Sequence, residues 1–492
     1  MVKAVVGEET QLKQAEDRLA QSALPTQVGL VIGKLSSNLD RGFVFDLIPT
    51  PLNDAGDPAS SLLESSKDDK KKGPKSKSQS SVDSSSLAID KDWVAEHARQ
   101  VSKMLSGGMK VIGIYVWVGD SAFKNSTIVL CQTLKGVADA APLSETDLDE
   151  RILIHICYSP RRWTCRNYSL GSSISSSNLR PCDFKMGKVI TSLQKFRCLY
   201  NFDLRLPIYK NASSVQTLPD VLRHGISVHA KELKGAKAII DGNLLVNDEP
   251  CTSDGLHEVE LLLPFMKNAS TEACSQKEVI GVIVFSGSVC SFGYINSKEP
   301  ISQVVADIKE DIILSLQSRL DIICDEADGD TDQTNGESKE SDEKMTLETC
   351  TSQLAIHLLR KATNLSLPRR VFIPWLGDLF VCDYLQSSET HEVLKDHCVE
   401  LLSMDATIDT TTILEPEIEP PKVIATSFWD VAVPLDPAAS SSSSKNSGVV
   451  ETSRGETSGN TAKSANFNII IAAFFLFLSV IVGYVLIIIK RS

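Results

Sequence analysis

The sequence predicts an α+β protein with two α/β domains in succession and a single C-terminal transmembrane helix. Three observations carry this. Strand-length apolar runs alternate with amphipathic helical stretches from residue 28 to residue 402. Polar low-complexity segments separate those blocks. Phe467 to Ile489 then runs for 23 residues without a charge. As a helix at 1.5 Å per residue it is about 34 Å long, enough to cross a bilayer core. The expected organisation is a first domain over 1–170 with a disordered insertion at 54–86, and a second domain over 180–325. An acidic linker (326–344), a small mixed α/β region (345–436), a disordered tether (437–464) and the membrane span (467–489) follow.

Each element has a local reason. Val28 to Gly33 and Phe43 to Ile48 are apolar runs joined by a polar turn, which predicts two buried strands. The 54–86 insertion is rich in Ser, Lys, Asp and Pro and has almost nothing to bury. Asp90 to Leu105 predicts a helix with Asp90 as N-cap, because Trp93, His97, Val101 and Met104 share one face. Gly107 and Gly108 end it. Val111 to Val118 is a further strand, a helix follows, and Ile152–Tyr158 with Trp163–Leu170 predicts a hairpin.

In the second block, Leu218 to Lys234 predicts a helix, and Ala238–Ile240 and Glu258–Leu263 predict strands. Val279–Phe285 and Val289–Ile295 read as two strands with a turn near Gly287. Ile301 to Ile323 carries Val304, Val305, Ile308, Ile312, Leu316 and Leu320 at helical spacing. Beyond the acidic linker, a helix to Ala362, extended segments at 368–375 and 379–384 and a helix over 387–402 are expected. The Ser440 to Ser444 run lies in the tether.

Bulk properties exclude several classes. The net charge of −13 argues against a general nucleic-acid binder, which needs a basic surface. Twelve cysteines are dilute in 492 residues, and no CxxC spacing occurs, so a secreted disulfide framework is not expected. Met1 to Glu9 turns acidic too early for a secretory signal. The bulk of the chain is therefore expected in the cytosol, hanging from a membrane by its C-terminus, with the Asn-X-Ser/Thr sequons unused.

The first block resembles the MPN domain, the fold of the JAMM metalloproteases and their inactive relatives. The likeness rests on Val28-Gly29-Leu30-Val31-Ile32-Gly33, the following strand and helix, and Gly107-Gly108-Met109-Lys110-Val111-Ile112-Gly113-Ile114-Tyr115. Active members continue from that tyrosine into His-Ser-His-Pro; here the residues are Val116-Trp117-Val118-Gly119. Thr26 stands where active members carry the catalytic Glu, and Ala122 to Thr127 holds no counterpart of the metal-binding Asp. Zinc hydrolysis needs three protein ligands and a base. The resemblance thus implies an inactive scaffold with no catalytic residue, metal or cofactor.

The chain as a whole resembles the odorant-response-abnormal protein 4 family. The resemblance sits in the stretch from Asp92 to Gly108, in Leu153-Ile154-His155-Ile156-Cys157 and Arg180-Pro181-Cys182-Asp183, and in Arg370-Val371-Phe372-Ile373-Pro374 and Cys382-Asp383-Tyr384. The insertion at 54–86 departs from the compact animal pattern. The family implies an endoplasmic-reticulum membrane protein that assists folding or trafficking of multipass receptors. It also implies a protein partner, the protease that processes the ubiquitin-fold modifier.

No HExxH, GxSxG or phosphate-loop pattern occurs. His155 lies in a strand and reads as a satisfied core histidine. His224 and His229 are five apart and do not share a helix face; His391 and His397 read as surface. Candidate partner contacts are Trp117, Phe372 and Trp375, each with core burial as its first reading; the second is an exposed aromatic anchor for Trp117 and an edge strand available for pairing for Phe372 and Trp375. The expected function is a non-catalytic tail-anchored adaptor. The alternatives are a membrane chaperone that contacts receptor clients directly and a hydrolase with an unrecognised site.

Overall fold

Continuous apolar runs form the central strands of the first 190 residues, and those strands close on themselves. The computed structural model describes residues 2–63, 85–143, 149–171, 174–209, 218–246, 255–264, 279–333, 363–405 and 408–427. In chain order the first part contains β1 (Ala4–Glu8), α1 (Glu9–Gln21), β2 (Gln27–Ser36), β3 (Arg41–Pro49), β4 (Ser60–Leu63) and β5 (Ser86–Ile89). It continues with α2 (Lys91–Met104), β6 (Lys110–Trp117), α3 (Asp120–Asn125), α4 (Thr127–Ala140), β7 (Glu150–Tyr158), β8 (Arg161–Ser169) and β9 (Leu179–Gly187). The barrel order is β1-β3-β2-β6-β7-β8-β9, and parallel pairing of β1 with β9 closes it. β6 feeds two cores: Ile112, Tyr115 and Trp117 enter one with α1, while Val111, Ile114 and Val116, with Val118 just beyond the strand, enter the other with α2 and α4, the alternation shifting at the irregularity in the β2–β6 register.

Helix α2 forms as its sequence predicts. The Asp90 carboxylate accepts from the Trp93 amide at 3.0 Å, and Val94, His97, Ala98, Val101 and Met104 are buried. Gly107 and Gly108 lie beyond its end, both with positive φ. They also allow close packing: a Cβ on Gly107 would meet the Phe292 carbonyl oxygen at 2.1 Å. The 54–86 insertion is ordered at both ends, contrary to expectation. β4 pairs with β5 because Ala59, Ser60 and Leu87 are buried, whereas 64–84 lie outside the described residues.

The second part contains β10 (Leu193–Tyr209), α5 (Leu218–Lys234), β11 (Lys237–Ile240), β12 (Asn243–Leu244), β13 (Leu256–Leu262), β14 (Val279–Asn296) and α6 (Ile301–Gln333). It ends with β15 (Thr363–Ser366), β16 (Arg369–Pro374), β17 (Phe380–Leu385), α7 (His391–Leu402) and β18 (Lys422–Ser427). Seven strands form a sheet in the order β12-β11-β13-β10-β14-β18-β15. Its core joins α5 and α6 to Phe196, Cys198, Ile283 and Phe285.

Three expectations change here. No turn occurs at Gly287: β14 is one strand of 18 residues paired along β10. The glycine marks a close approach, since a Cβ there would lie 2.8 Å from Pro421 Cα. Helix α6 does not stop at Ile323 but runs to Gln333, into the expected acidic linker, because extending a nucleated helix costs little. Residues 345–436 are shared between the two parts: β15 and β18 extend the second sheet, while the β16–β17 hairpin and α7 pack into the first core. The expected helix to Ala362, the tether at 437–464 and the span at 467–489 lie outside the described residues. Among the described residues, no helix is long and apolar enough to cross a membrane.

Buried charges join the parts. Arg370 donates to both oxygens of Asp311 on α6 at 2.7 and 2.8 Å, and to the Cys290 carbonyl at 3.1 Å. Arg319 donates to both oxygens of Glu417 at 2.6 and 2.8 Å, with both side chains at 0% exposure. Glu417 also accepts from the amides of Cys290 and Arg370. Removing one partner of such a pair strands the other charge. Glu417→Ala should lower unfolding stability by about 3–5 kcal/mol, and Arg319→Met combined with Glu417→Leu should restore much of it. Urea denaturation measures both.

His97 adds a pH dependence. Its Nε2 donates to the Leu401 carbonyl at 2.8 Å, tying α2 to α7, and burial pushes its pKa down to about 4. Between pH 6.5 and 4 the unfolded chain binds the extra proton, so this contribution is complete above 6.5 and is lost as pH falls. Its upper bound is about 3 kcal/mol. His97→Gln keeps a donor without titrating. Urea midpoints across this window should fall less steeply in the variant than in the wild type.

Candidate functional site

The sequence resemblance directs attention to the end of β6, at Val116 to Gly119. Antiparallel pairing puts Gln27 opposite Trp117, so Thr26 lies beside the β6 terminus, as its sequence position implies. Thr26 is buried, and its hydroxyl has no partner among the described residues. Val116 and Val118 are fully buried and apolar. Neither side chain offers a ligand atom, so the positions that match the histidine pair cannot hold a metal.

The next strand and the following turn bring other donors. β7 runs parallel to β6, with Val116 opposite His155 and Trp117 opposite Ile156. His155 and Cys157, two apart on β7, point to the same face. After Gly119 the chain turns into α3, whose first residue is Asp120. One ligand atom each from Asp120, His155 and Cys157 lie within 4.8 Å of one another. His155 is buried as a core histidine would be, and its Nε2 donates to the Val118 carbonyl at 2.9 Å. Burial holds its pKa below the ordinary histidine range, against the opposing effect of that bond. The Phe123 ring stacks on the imidazole at 4.0 Å. Arg162 donates to both Asp120 oxygens at 3.0 and 2.7 Å.

Sequence reasoning gave Asp120 no role and read Cys157 as a buried core cysteine, which it is. The i, i+2 spacing of His155 and Cys157 was the available signal; Asp120 joins them only through the β6–β7 pairing. The other histidines stay apart. His224 is exposed, while His229 is buried and bonded to the Tyr200 hydroxyl at 2.9 Å. His391 and His397 meet different carboxylates, Glu415 and Asp383, each at 2.9 Å.

Two of the three candidate partner contacts are core residues. Trp117 is 6% exposed and packs on Tyr158 with ring centroids 5.6 Å apart. Phe372 is 0% exposed and meets Phe292 edge-on at 4.8 Å. Core burial, the first reading of both, holds, and the alternative of Trp117 as an exposed anchor is corrected: both faces of β6 are covered, and Val371, Phe372 and Ile373 of β16 are all buried. Trp375, just past β16, is half-buried.

A mixed α/β protein built on a closed seven-stranded barrel and a second seven-stranded sheet is the class these features define. A family model described as Odorant response abnormal 4-like matches residues 29–413, and the chain belongs to that family. Protein odr-4 homolog of Mus musculus is 26% identical over 415 residues, covering 80% of this chain and 81% of the relative. The Dictyostelium discoideum homolog is 25% identical over 417 residues, covering 83% and 79%. The Homo sapiens homolog is 26% identical over 353 residues, covering 66% and 72%. Among solved structures, that of UfSP from C. elegans aligns with 82% of this chain and 57% of its own at 7% identity. Its TM-score of 0.35 is too low to carry an argument.

Trp117→Ala should reduce stability by about 3–5 kcal/mol, as other buried aromatic truncations do. Trp375→Ala should cost less than half of that. Thermal unfolding of the two variants side by side checks the assignment.

Proposed function

We propose that this chain is a non-catalytic, tail-anchored adaptor at the endoplasmic-reticulum membrane, with its folded body in the cytosol. In this reading it recruits a soluble partner, by family resemblance the ubiquitin-fold-modifier protease, and assists folding or trafficking of multipass receptors. The observation that carries the reading is the uncharged run from Phe467 to Ile489 in a chain of the odr-4-like family. A run of that length crosses a bilayer core with some tilt. The residues before it, 437–464, are rich in Ser, Thr, Gly and Asn, which suits a flexible tether. Holding a partner at a surface raises its local concentration without any new active site. The apolar replacement of the MPN histidine pair fits a scaffold kept for binding.

Carbonate extraction of membranes should leave the full chain in the pellet. Deleting residues 466–492 should move both this chain and its bound protease to the soluble fraction. A partner that stays membrane-bound in cells carrying the deletion would remove the recruiting role.

A further inference from the structure

Three donors of different chemistry meet where β6 hands over to α3. Tetrahedral zinc, with bonds of about 2.0–2.3 Å, needs ligand atoms roughly 3.3–3.8 Å apart. The Asp120, His155 and Cys157 donors lie within 4.8 Å of one another, and His155 Nδ1 is 3.9 Å from Asp120 Oδ1. Side-chain shifts on the order of 1 Å therefore complete the geometry. The imidazole is already oriented. Its Nε2–H is committed to the Val118 carbonyl, which leaves Nδ1 with its lone pair on the Asp120 side. Metal-ligating histidines are typically fixed in this way by a bond from the other ring nitrogen. His155 and Cys157 are enclosed, whereas the Asp120 side chain is 34% exposed, so solvent can supply a fourth ligand.

We propose that Asp120, His155 and Cys157 form a zinc site, with water as the fourth ligand. A thiolate, an imidazole and a carboxylate suit this borderline-soft ion; magnesium and calcium prefer oxygen donors alone. On binding, Cys157 gives up its thiol proton to solvent, together with its hydrogen bond to the Ser159 carbonyl, and its sulfur bonds the metal. Arg162 is the competing cation. Its side chain is 53% exposed and leaves Asp120 for solvent as the metal enters. The Thr164 hydroxyl, 3.5 Å from His155 Nδ1, turns away. The ion would pin α3 to the end of β7. None of the three ligands is a position that matches the MPN metal motif, and the proposal is independent of the adaptor reading.

The test uses the full chain in detergent, stripped with a chelator. It is titrated with zinc against a chromogenic competitor, and separately with cobalt. One equivalent of zinc should bind, and the cobalt complex should show thiolate-to-metal charge-transfer absorption. Cys157→Ser should abolish that absorption. Asp120→Asn, at a partly exposed position where folding is retained by circular dichroism, should weaken zinc binding at least tenfold. Arg162→Ala should strengthen it. Absence of stoichiometric binding overturns the proposal. So does zinc affinity unchanged in Asp120→Asn with a cobalt spectrum that survives Cys157→Ser.

Discussion

The fold turns on two guanidinium–carboxylate pairs kept out of water. Arg370 with Asp311 and Arg319 with Glu417 draw together β16, α6 and the segment before β18, and Arg370 and Glu417 also bond the backbone of β14 at Cys290. Removing such charges from water costs several kcal/mol each, and only bidentate geometry with further hydrogen bonds offsets it. Here the carboxylate oxygens are all used, while Arg319 Nε and Nη1 and Arg370 Nε have no partner among the described residues. Asp311 also accepts from the Ser291 hydroxyl, Arg370 reaches the Cys382 sulfur, and the Arg319 guanidinium sits over the Tyr384 ring. A different register between the two sheets would leave charges buried and unpaired. The Arg370-to-Pro374 and Cys382-to-Tyr384 motifs, which carry the family resemblance, are the two strands of the hairpin that supplies this clasp.

Local pattern made much of the fold legible. The helix at Leu218–Lys234 has the limits its periodicity implies, and the β7–β8 hairpin follows from two apolar runs around a turn. What was not legible depended on distant partners. Gly287 looks like a turn until Pro421 is seen against it. The C-terminal strands look like a separate region until the ladders of β18 with β14 and β15 are known. The start of the chain, read only for a targeting signal, contributes the strand that closes the barrel.

The site divides in the same way. That Val116 to Gly119 hold no histidine is a property of the local string, and it was readable. The assembly of Asp120 with His155 and Cys157 is a property of the parallel β6–β7 pairing, which joins stretches far apart in the chain, and it was not. Aromatic anchors fail for the complementary reason: a tryptophan at a strand end gives no sign of its direction, and the barrel turns Trp117 inward. Exposed apolar side chains lie elsewhere among the described residues, at Val246 and Ile418 for example.

The strand from which the described fold ends has a mechanical consequence. β18 is not an edge strand; it lies between β14 and β15, antiparallel to both. A terminus held in this way is tied down more firmly than one on the rim of a sheet. Tension arriving from the residues beyond Ser427 would load two hydrogen-bond ladders at once, in shear and not by peeling. Unravelling from that end requires both ladders to break.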